Sequence, residues 1–414
     1  MGIAAMRDGL KRGGLLGGRL LAAGALVAGF ALATGVVGPP AGAASSAKPL
    51  VIGDLCSCTG PEASTISQTT AVVKAWASSV DAHGGIDGHQ VQIVVKDDGY
   101  NPTTSLAEAQ ALVQQNHSVG LIDASDEDSV WANYMKQAKV PVFGATESDA
   151  GYTNTDFFPP GGTFNYGDGA GSVAAKKAGV KKEAILYCVE VAICAQATQE
   201  GKAIAAKLGI QIVYTDGIGF AAPNYTAQCL AAKQSGATAM SVGDASAIVT
   251  KVAMDCATQG YDPTELGADG TVAIAWLAIP AMEGNVDVQA DLPWFVHNAA
   301  TKPMYAALAK YAPGVTTGPN FGEVVIQTWA AGIELQLAAE AGHLSATPTA
   351  AEITNGVYAL PKGTTLDGLS PPISFHKGKT ASNPCFYEMG IKDKKFVELG
   401  GDKPFCVPKS LAVK

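Results

Sequence analysis

From Trp76 to Pro102 the chain reads WASSVDAHGGIDGHQVQIVVKDDGYNP: the end of an amphipathic helix, a Gly-Gly turn, a strand of period two, then two adjacent aspartates. The preceding helix is legible because Ile66, Val73, Ala77 and Val80 share one face while Ser67, Gln68, Lys74 and Ser78 face water. Strands flank it, with Leu50, Val51 and Ile52 on one side and Val91, Ile93 and Val95 alternating with Gln92 and Lys96 on the other. Together these make a βαβ unit. Asn101-Pro102 opens a second helix, the Asn capping free N–H groups and the Pro at a position where its missing donor does no harm. Further strands over 119–122 and 140–143 enclose a helix over 131–138, and this alternation predicts a parallel sheet covered on both faces.

After a Pro/Gly passage at 157–163 the βα rhythm resumes, with helices expected over 169–178, 195–208, 225–235 and 245–259 and strands over 184–189, 210–214 and 239–242. Residues 283–293 read as irregular, 321–341 as a long helix, and 385–391 and 395–399 as strands around the turn 392–394. The expected fold class is α/β: two doubly wound, Rossmann-like lobes joined by a three-strand hinge. The expected division is a signal peptide at 1–44, a first lobe at 48–158 plus 292–365, and a second at 159–291 plus 366–414. The signal is read from the basic start Arg7, Lys11, Arg12 and Arg19, an uncharged apolar run, and Ala41-Gly42-Ala43 as a cleavage site; no lipobox cysteine accompanies it.

Removing that segment takes the formal charge from −9 to −12, because four cationic side chains and Asp8 leave together. The remaining chain contains no arginine, which disfavours bidentate capture of carboxylate or phosphate and argues against nucleic acid or anionic lipid as partners. The eight cysteines follow the signal, and their spacing suggests Cys188 with Cys194, Cys229 with Cys256, Cys385 with Cys406, and Cys56 with Cys58 as a local bridge stiffening the first strand-exit loop. Cys56 and Cys58 have no further Cys or His at metal-ligand spacing, so no metal is expected. Enzyme signatures are missing: there is no G-x-S-x-G, H-E-x-x-H or G-x-x-x-x-G-K-[ST], and Gly217-Ile218-Gly219 lies too far from its helix to cradle a dinucleotide. No cofactor and no enzymatic step are expected.

VIGDLCSCTGPEA, VDAHGGIDGHQVQIVVKDDGYNP and VPVFGATES, in this order, resemble the type 1 periplasmic solute-binding proteins of ABC importers, in particular the branched-chain-amino-acid-binding branch, over roughly residues 48–408. The resemblance implies an exported monomer that captures a small polar solute between two lobes and delivers it to an importer permease. A receptor-coupled sensor and an exported hydrolase are the rival readings. Strand exits, the first of them the run 57–62, supply the candidate binding residues: Ser57, Thr59, Ser125, Asp126, Thr146 and Glu147 from the first lobe, and Glu190, Asp244 and Asp269 from the second, with Tyr100, Trp131 and Trp276 as candidate aromatic walls. By the resemblance, Ser125 and Thr146 would receive an amino acid's carboxylate and Asp244 its ammonium. By the resemblance, Asp123, Asp126, Glu127 and Asp128 stand where the family has small hydroxyl residues, and Glu147 follows Thr146, so an uncharged or cationic solute competes with the amino acid. At about 4 Å and an effective dielectric near 20, each such acid opposes a carboxylate ligand by roughly 4 kcal/mol.

Overall fold

The computed structural model describes residues 47–144, 148–190, 192–267 and 270–413, so the expected signal segment and Thr146, Glu147 and Asp269 lie outside the described residues. The first half builds β1 (Leu50–Cys56), α1 (Ala63–Ile66), α2 (Thr69–Ala82), β2 (Val91–Asp97), α3 (Pro102–Gln114), β3 (Gly120–Ala124), α4 (Asp128–Ala138), β4 (Val142–Gly144), α5 (Ala150–Thr153) and β5 (Phe157–Phe158). Its strands lie in the order β2-β1-β3-β4-β5, parallel throughout.

The second sheet follows α6 (Gly167–Lys177) with β6 (Lys182–Cys188), α7 (Ala192–Lys207), β7 (Gln211–Ile218), α8 (Thr226–Ser235), β8 (Ala239–Gly243), α9 (Ser246–Thr258), β9 (Thr264–Leu266) and β10 (Val286–Gln289). The chain then forms α10 (Lys302–Tyr311), α11 (Glu323–Gly342) and α12 (Ala350–Ala359), of which α10 and α11 pack on α2 of the first half, before returning as β11 (Cys385–Lys392), β12 (Lys395–Glu398) and β13 (Phe405–Cys406). The order is β12-β11-β10-β9-β8-β6-β7, with β13 on β11; β6 to β10 run parallel and β10 to β12 antiparallel. Two doubly wound sheets, traversed first, second, first and second again, are the fold.

Local chemistry accounts for the element ends. The Asn101 side chain accepts from Thr104 N at 3.0 Å with Pro102 opening α3, so the cap read from sequence is made. Gly85 holds φ +77°, and a Cβ there would lie 2.0 Å from the His89 carbonyl oxygen, so the turn into β2 accepts only glycine. Apolar faces meet between the layers, with Trp76 of α2 packed against Gly332 of α11, where a Cβ would come within 2.8 Å of the indole.

Several boundaries differ from the sequence expectation. The single helix through Ile66 is two helices, and at the break the Ala63 carbonyl and Ser67 hydroxyl receive Asn320 Nδ2 at 3.1 and 3.0 Å. The passage expected to be irregular holds β10, whose Val286–Gln289 run is wholly buried, with polar residues admitted because neighbouring strands satisfy its backbone. Gly217 lies inside β7 opposite Tyr187 rather than in a loop; a Cβ there would meet Val189 Cγ1 at 2.5 Å, so the glycine serves packing. Disulfides join Cys56 to Cys58, Cys188 to Cys194, Cys229 to Cys256 and Cys385 to Cys406.

Candidate binding cleft

Strand C-terminal ends of both sheets open into one cavity of about 350 Å³. Glu62, Thr65, Tyr100, Ser125, Asp126 and Asp128 line it from the first sheet's side, and Asp168, Glu183, Ser241 and Asp244 from the second's. Eight carboxyl side chains line it, and among the described lining residues there is no lysine, arginine or histidine. These carboxyls are not gathered as ligands: no group of three or more His, Cys, Asp or Glu among the described residues is placed to hold a metal ion.

Asp97 and Asp98 organise the rim. Asp97 Oδ1 accepts from Thr59 N at 3.2 Å and from Gly99 N at 3.0 Å. Buried Asp98 accepts from Tyr100 N at 2.9 Å, Ser105 Oγ at 2.8 Å and Ser125 Oγ at 2.5 Å. Tyr100 beside them has φ +61°, a conformation that costs a bulky residue energy and that the aspartate-fixed turn imposes. Its ring is thereby presented to the cavity and meets Phe220 of the other lobe. Gly144 also lines the cavity; it has φ +111°, and a Cβ there would lie 2.5 Å from the Asp123 carbonyl oxygen.

The carboxyls are held in an environment that disfavours their charge. Burial pushes Asp126 up to about 7, with Asp98 and Glu127 adding repulsion. Burial likewise lifts Asp244 to about 7 and Asp128 to about 8. Glu62 is raised well above the usual range by burial and then by Asp126 and Asp244. Asp123 is raised by burial and Asp128; its Oδ1 accepts from Ser125 N at 2.9 Å while Oδ2 has no partner. Asp244 Oδ1 accepts from Ala245 N at 2.7 Å, and its buried Oδ2 also lacks one. Unpartnered buried acids surrounded by acids form a site that is stabilised by a positive charge or by donors arriving from outside.

The residues expected from sequence divide accordingly. Ser125, Asp126 and Asp244 line the cavity. Ser125, however, donates its hydroxyl proton to Asp98 and accepts from Glu127 N at 3.1 Å, so that proton is committed and does not reach a ligand carboxylate. Ser57 is buried behind the wall, its Oγ accepting from Asp126 N at 3.2 Å. Thr59 is exposed at the rim, and Glu190 is exposed with its oxygens on Phe220 N and Val189 N. Both tryptophans are core residues and not cleft walls: each has too large an apolar surface to leave in water beside a strand end. Trp131 stacks on Phe157 at 5.8 Å, and Trp276 Nε1 donates to Ser246 Oγ at 2.8 Å. Tyr100, an aromatic wall expected from sequence, lines the cavity, as does Glu62 at the end of the strand-exit run 57–62; sequence reasoning missed Asp168 and Glu183, which lie on α6 and early in β6 and not at strand exits.

The lobes touch around this cavity. Ser246 N donates to Thr65 Oγ1 and Ala247 N to Ser64 Oγ, both at 3.1 Å, bringing the start of α9 onto α1. Two doubly wound sheets whose strand ends face a shared cavity define a two-lobed α/β ligand-binding protein. The chain belongs to the periplasmic binding protein family, whose match spans residues 49–395. No curated protein matches it in sequence. Similar solved structures include a branched-chain amino acid ABC transporter protein from Thermus thermophilus with bound valine (16% identity, 88% of this chain and 97% of that one, TM-score 0.76). A fatty acid ABC transporter substrate-binding protein from Thermomonospora curvata is 19% identical over 87% of this chain and 95% of its own, with TM-score 0.72. An R. palustris ABC transporter solute-binding protein in complex with benzoate is 17% identical over 88% and 99%, also with TM-score 0.72. At these identities the likeness is one of fold.

Proposed function

We propose that this is an exported solute-binding protein that holds a small uncharged or positively charged solute between its lobes and delivers it to an ABC importer. The observation that carries the reading is the cavity's charge: eight carboxyl side chains and no basic one among its described lining residues. Membership of a binding-protein family, and structural neighbours that are ABC transporter binding proteins, support the transport role. Residues 48–158 with 292–365 would move as one body and 159–291 with 366–414 as the other, the solute stabilising the closed arrangement that a permease recognises. Asp244, with its unpartnered Oδ2, is the anchor for an ammonium or amide N–H. The protein acts as a monomer and makes or breaks no bond in the solute.

Thermal denaturation across a panel of amines, amides, polyols, neutral amino acids and acidic amino acids tests this. A ligand of the proposed class at a hundredfold excess over Kd adds about 2.7 kcal/mol of stability. Acidic amino acids stabilising more than amines or amides would overturn the charge argument.

A further inference from the structure

The cavity does not end at the cleft. It continues into the second half between the sheet and the helices α6 and α7, where Ile185, Ile212, Leu266 and Val288 form an apolar wall. The facing helices keep space open by their residue choice. Gly167 and Gly171, one turn apart on α6, front the cavity, and a Cβ on either would meet nothing within 4 Å. Ala197, Gly201 and Ala205 continue the small face on α7. Gly171 lies inside the helix, where glycine costs about 0.5–1 kcal/mol relative to alanine, and no close approach of another chain segment requires it there.

Asp168 lies at this inner chamber, close to Gly201, whose added Cβ would be 3.6 Å from the Asp168 carboxyl carbon. No donor among the described residues bonds to it; its charged neighbours are Glu200 and Glu183, and its surface faces the chamber. At the outer end, Asp123 is 7% and Asp244 9% exposed, and each keeps a buried, unpartnered Oδ2. One cavity thus carries acids at both ends and apolar side chains between them.

Resting on the reading that this cleft binds a solute, we propose that the ligand is an elongated aliphatic diamine or polyamine. One ammonium lies among Glu62, Asp126 and Asp244 at the cleft, the methylene chain passes along the apolar wall between the sheet and α6/α7, and the second ammonium pairs with Asp168. Such a ligand gives each uncompensated end a counter-charge and gives the chamber a chain narrow enough for a space lined by glycine and alanine. A single small amine would fill only the outer end, and a fatty acid would bring its carboxylate into a field of like charge.

Titration calorimetry of the purified protein at pH 8 with ethylamine, octylamine, 1,8-diaminooctane and octanoate tests this. Each buried methylene tightens binding about fourfold, so 1,8-diaminooctane is expected to bind at least about a hundredfold tighter than ethylamine, and its second charge to give at least about tenfold over octylamine. Gly171→Phe, which projects a ring into the open chamber from a helical position, should cut the diaminooctane-to-ethylamine ratio at least about tenfold; Gly167→Leu does the same from one turn away if the first variant does not fold. Asp168→Asn should abolish the preference for diamine over octylamine. Diaminooctane no tighter than ethylamine, or a ratio indifferent to both glycine variants, would refute the chamber while leaving the cleft reading intact. Octylamine equal to diaminooctane would refute the inner ammonium site. Octanoate as the tightest ligand, or no binding by any of the four, would overturn both the inference and the cationic reading beneath it.

Discussion

Tyr100 of the first lobe and Phe220 of the second meet edge to face across the cleft, with ring centroids 5.7 Å apart and planes at 77°. In the lobe closure proposed above, this pair is a contact of the closed arrangement. An aromatic pair of this geometry contributes about 0.5–1.5 kcal/mol beyond its buried area. Phe220→Ala is therefore expected to weaken solute binding by roughly two- to tenfold, with the loss in the dissociation rate, and to shift small-angle scattering of the free protein toward a larger radius of gyration. Unchanged affinity and scattering would show that the pair does not hold the lobes.

The carboxyls of the cleft make binding depend on pH. Asp126, Asp168 and Asp244 titrate near 7 in the ligand-free protein because burial disfavours their charge. A bound ammonium lowers those values, so binding releases protons and strengthens as pH rises. For each carboxyl that pairs with the ligand, affinity should rise about tenfold between pH 6 and pH 8. An anion would take up protons and show the opposite slope, which makes calorimetry in buffers of different ionisation heat a direct reading of ligand sign.

Asp244→Asn keeps the side-chain shape and removes the charge. Cation affinity at pH 8 should fall about tenfold or more, while at pH 5.5, where the acid is already protonated, variant and parent should agree within about twofold. Equal loss at both pH values would assign Asp244 a purely structural role through its bond to Ala245 N.

Asp54 on β1 is fully buried, with Oδ2 accepting from Thr70 Oγ1 at 3.0 Å and Oδ1 unpartnered. Burial raises it to about 7, above its value in the unfolded chain, so its protonated form favours the fold. That contribution is complete below about pH 4 and is lost as pH rises through 7. Asp54→Asn should raise urea stability at pH 8 by on the order of 2–4 kcal/mol and change it little at pH 4.

The Cys229–Cys256 bridge ties α8 to α9 across a sequence separation of 27. Loop-closure entropy predicts that replacing both cysteines by alanine costs about 3.5 kcal/mol. Equilibrium unfolding should show the midpoint falling and the m-value rising, because the denatured chain without the bridge is more expanded.

Local signals made much of this legible. The Asn101-Pro102 cap, the Gly85 turn and the alternation of Val91, Ile93 and Val95 are short-range instructions, and each is carried out where the sequence places it. Thr349 and Glu352 form a capping box at the start of α12; its T-x-x-E is an equally local signal, and it marks a helix that apolar periodicity alone does not announce. Strand β10 was unreadable for a physical reason: its Asp287 and Gln289 are buried polar residues, which break the hydrophobic pattern that identifies strands.

What the sequence determined by itself was the βα succession, the disulfide spacing and an acidic, arginine-free chain, because capping, side-chain period and charge are properties of neighbouring residues. Which acids share a cavity was decided only by the tertiary structure. Glu62, Asp126, Asp168 and Asp244 are brought together across the cleft by two separate sheets, and Trp131 and Trp276 are withdrawn into cores that no local pattern announces. Ser125 could be placed at a strand exit from the sequence, but only the fold showed that its proton goes to Asp98, since that bond joins residues 27 positions apart.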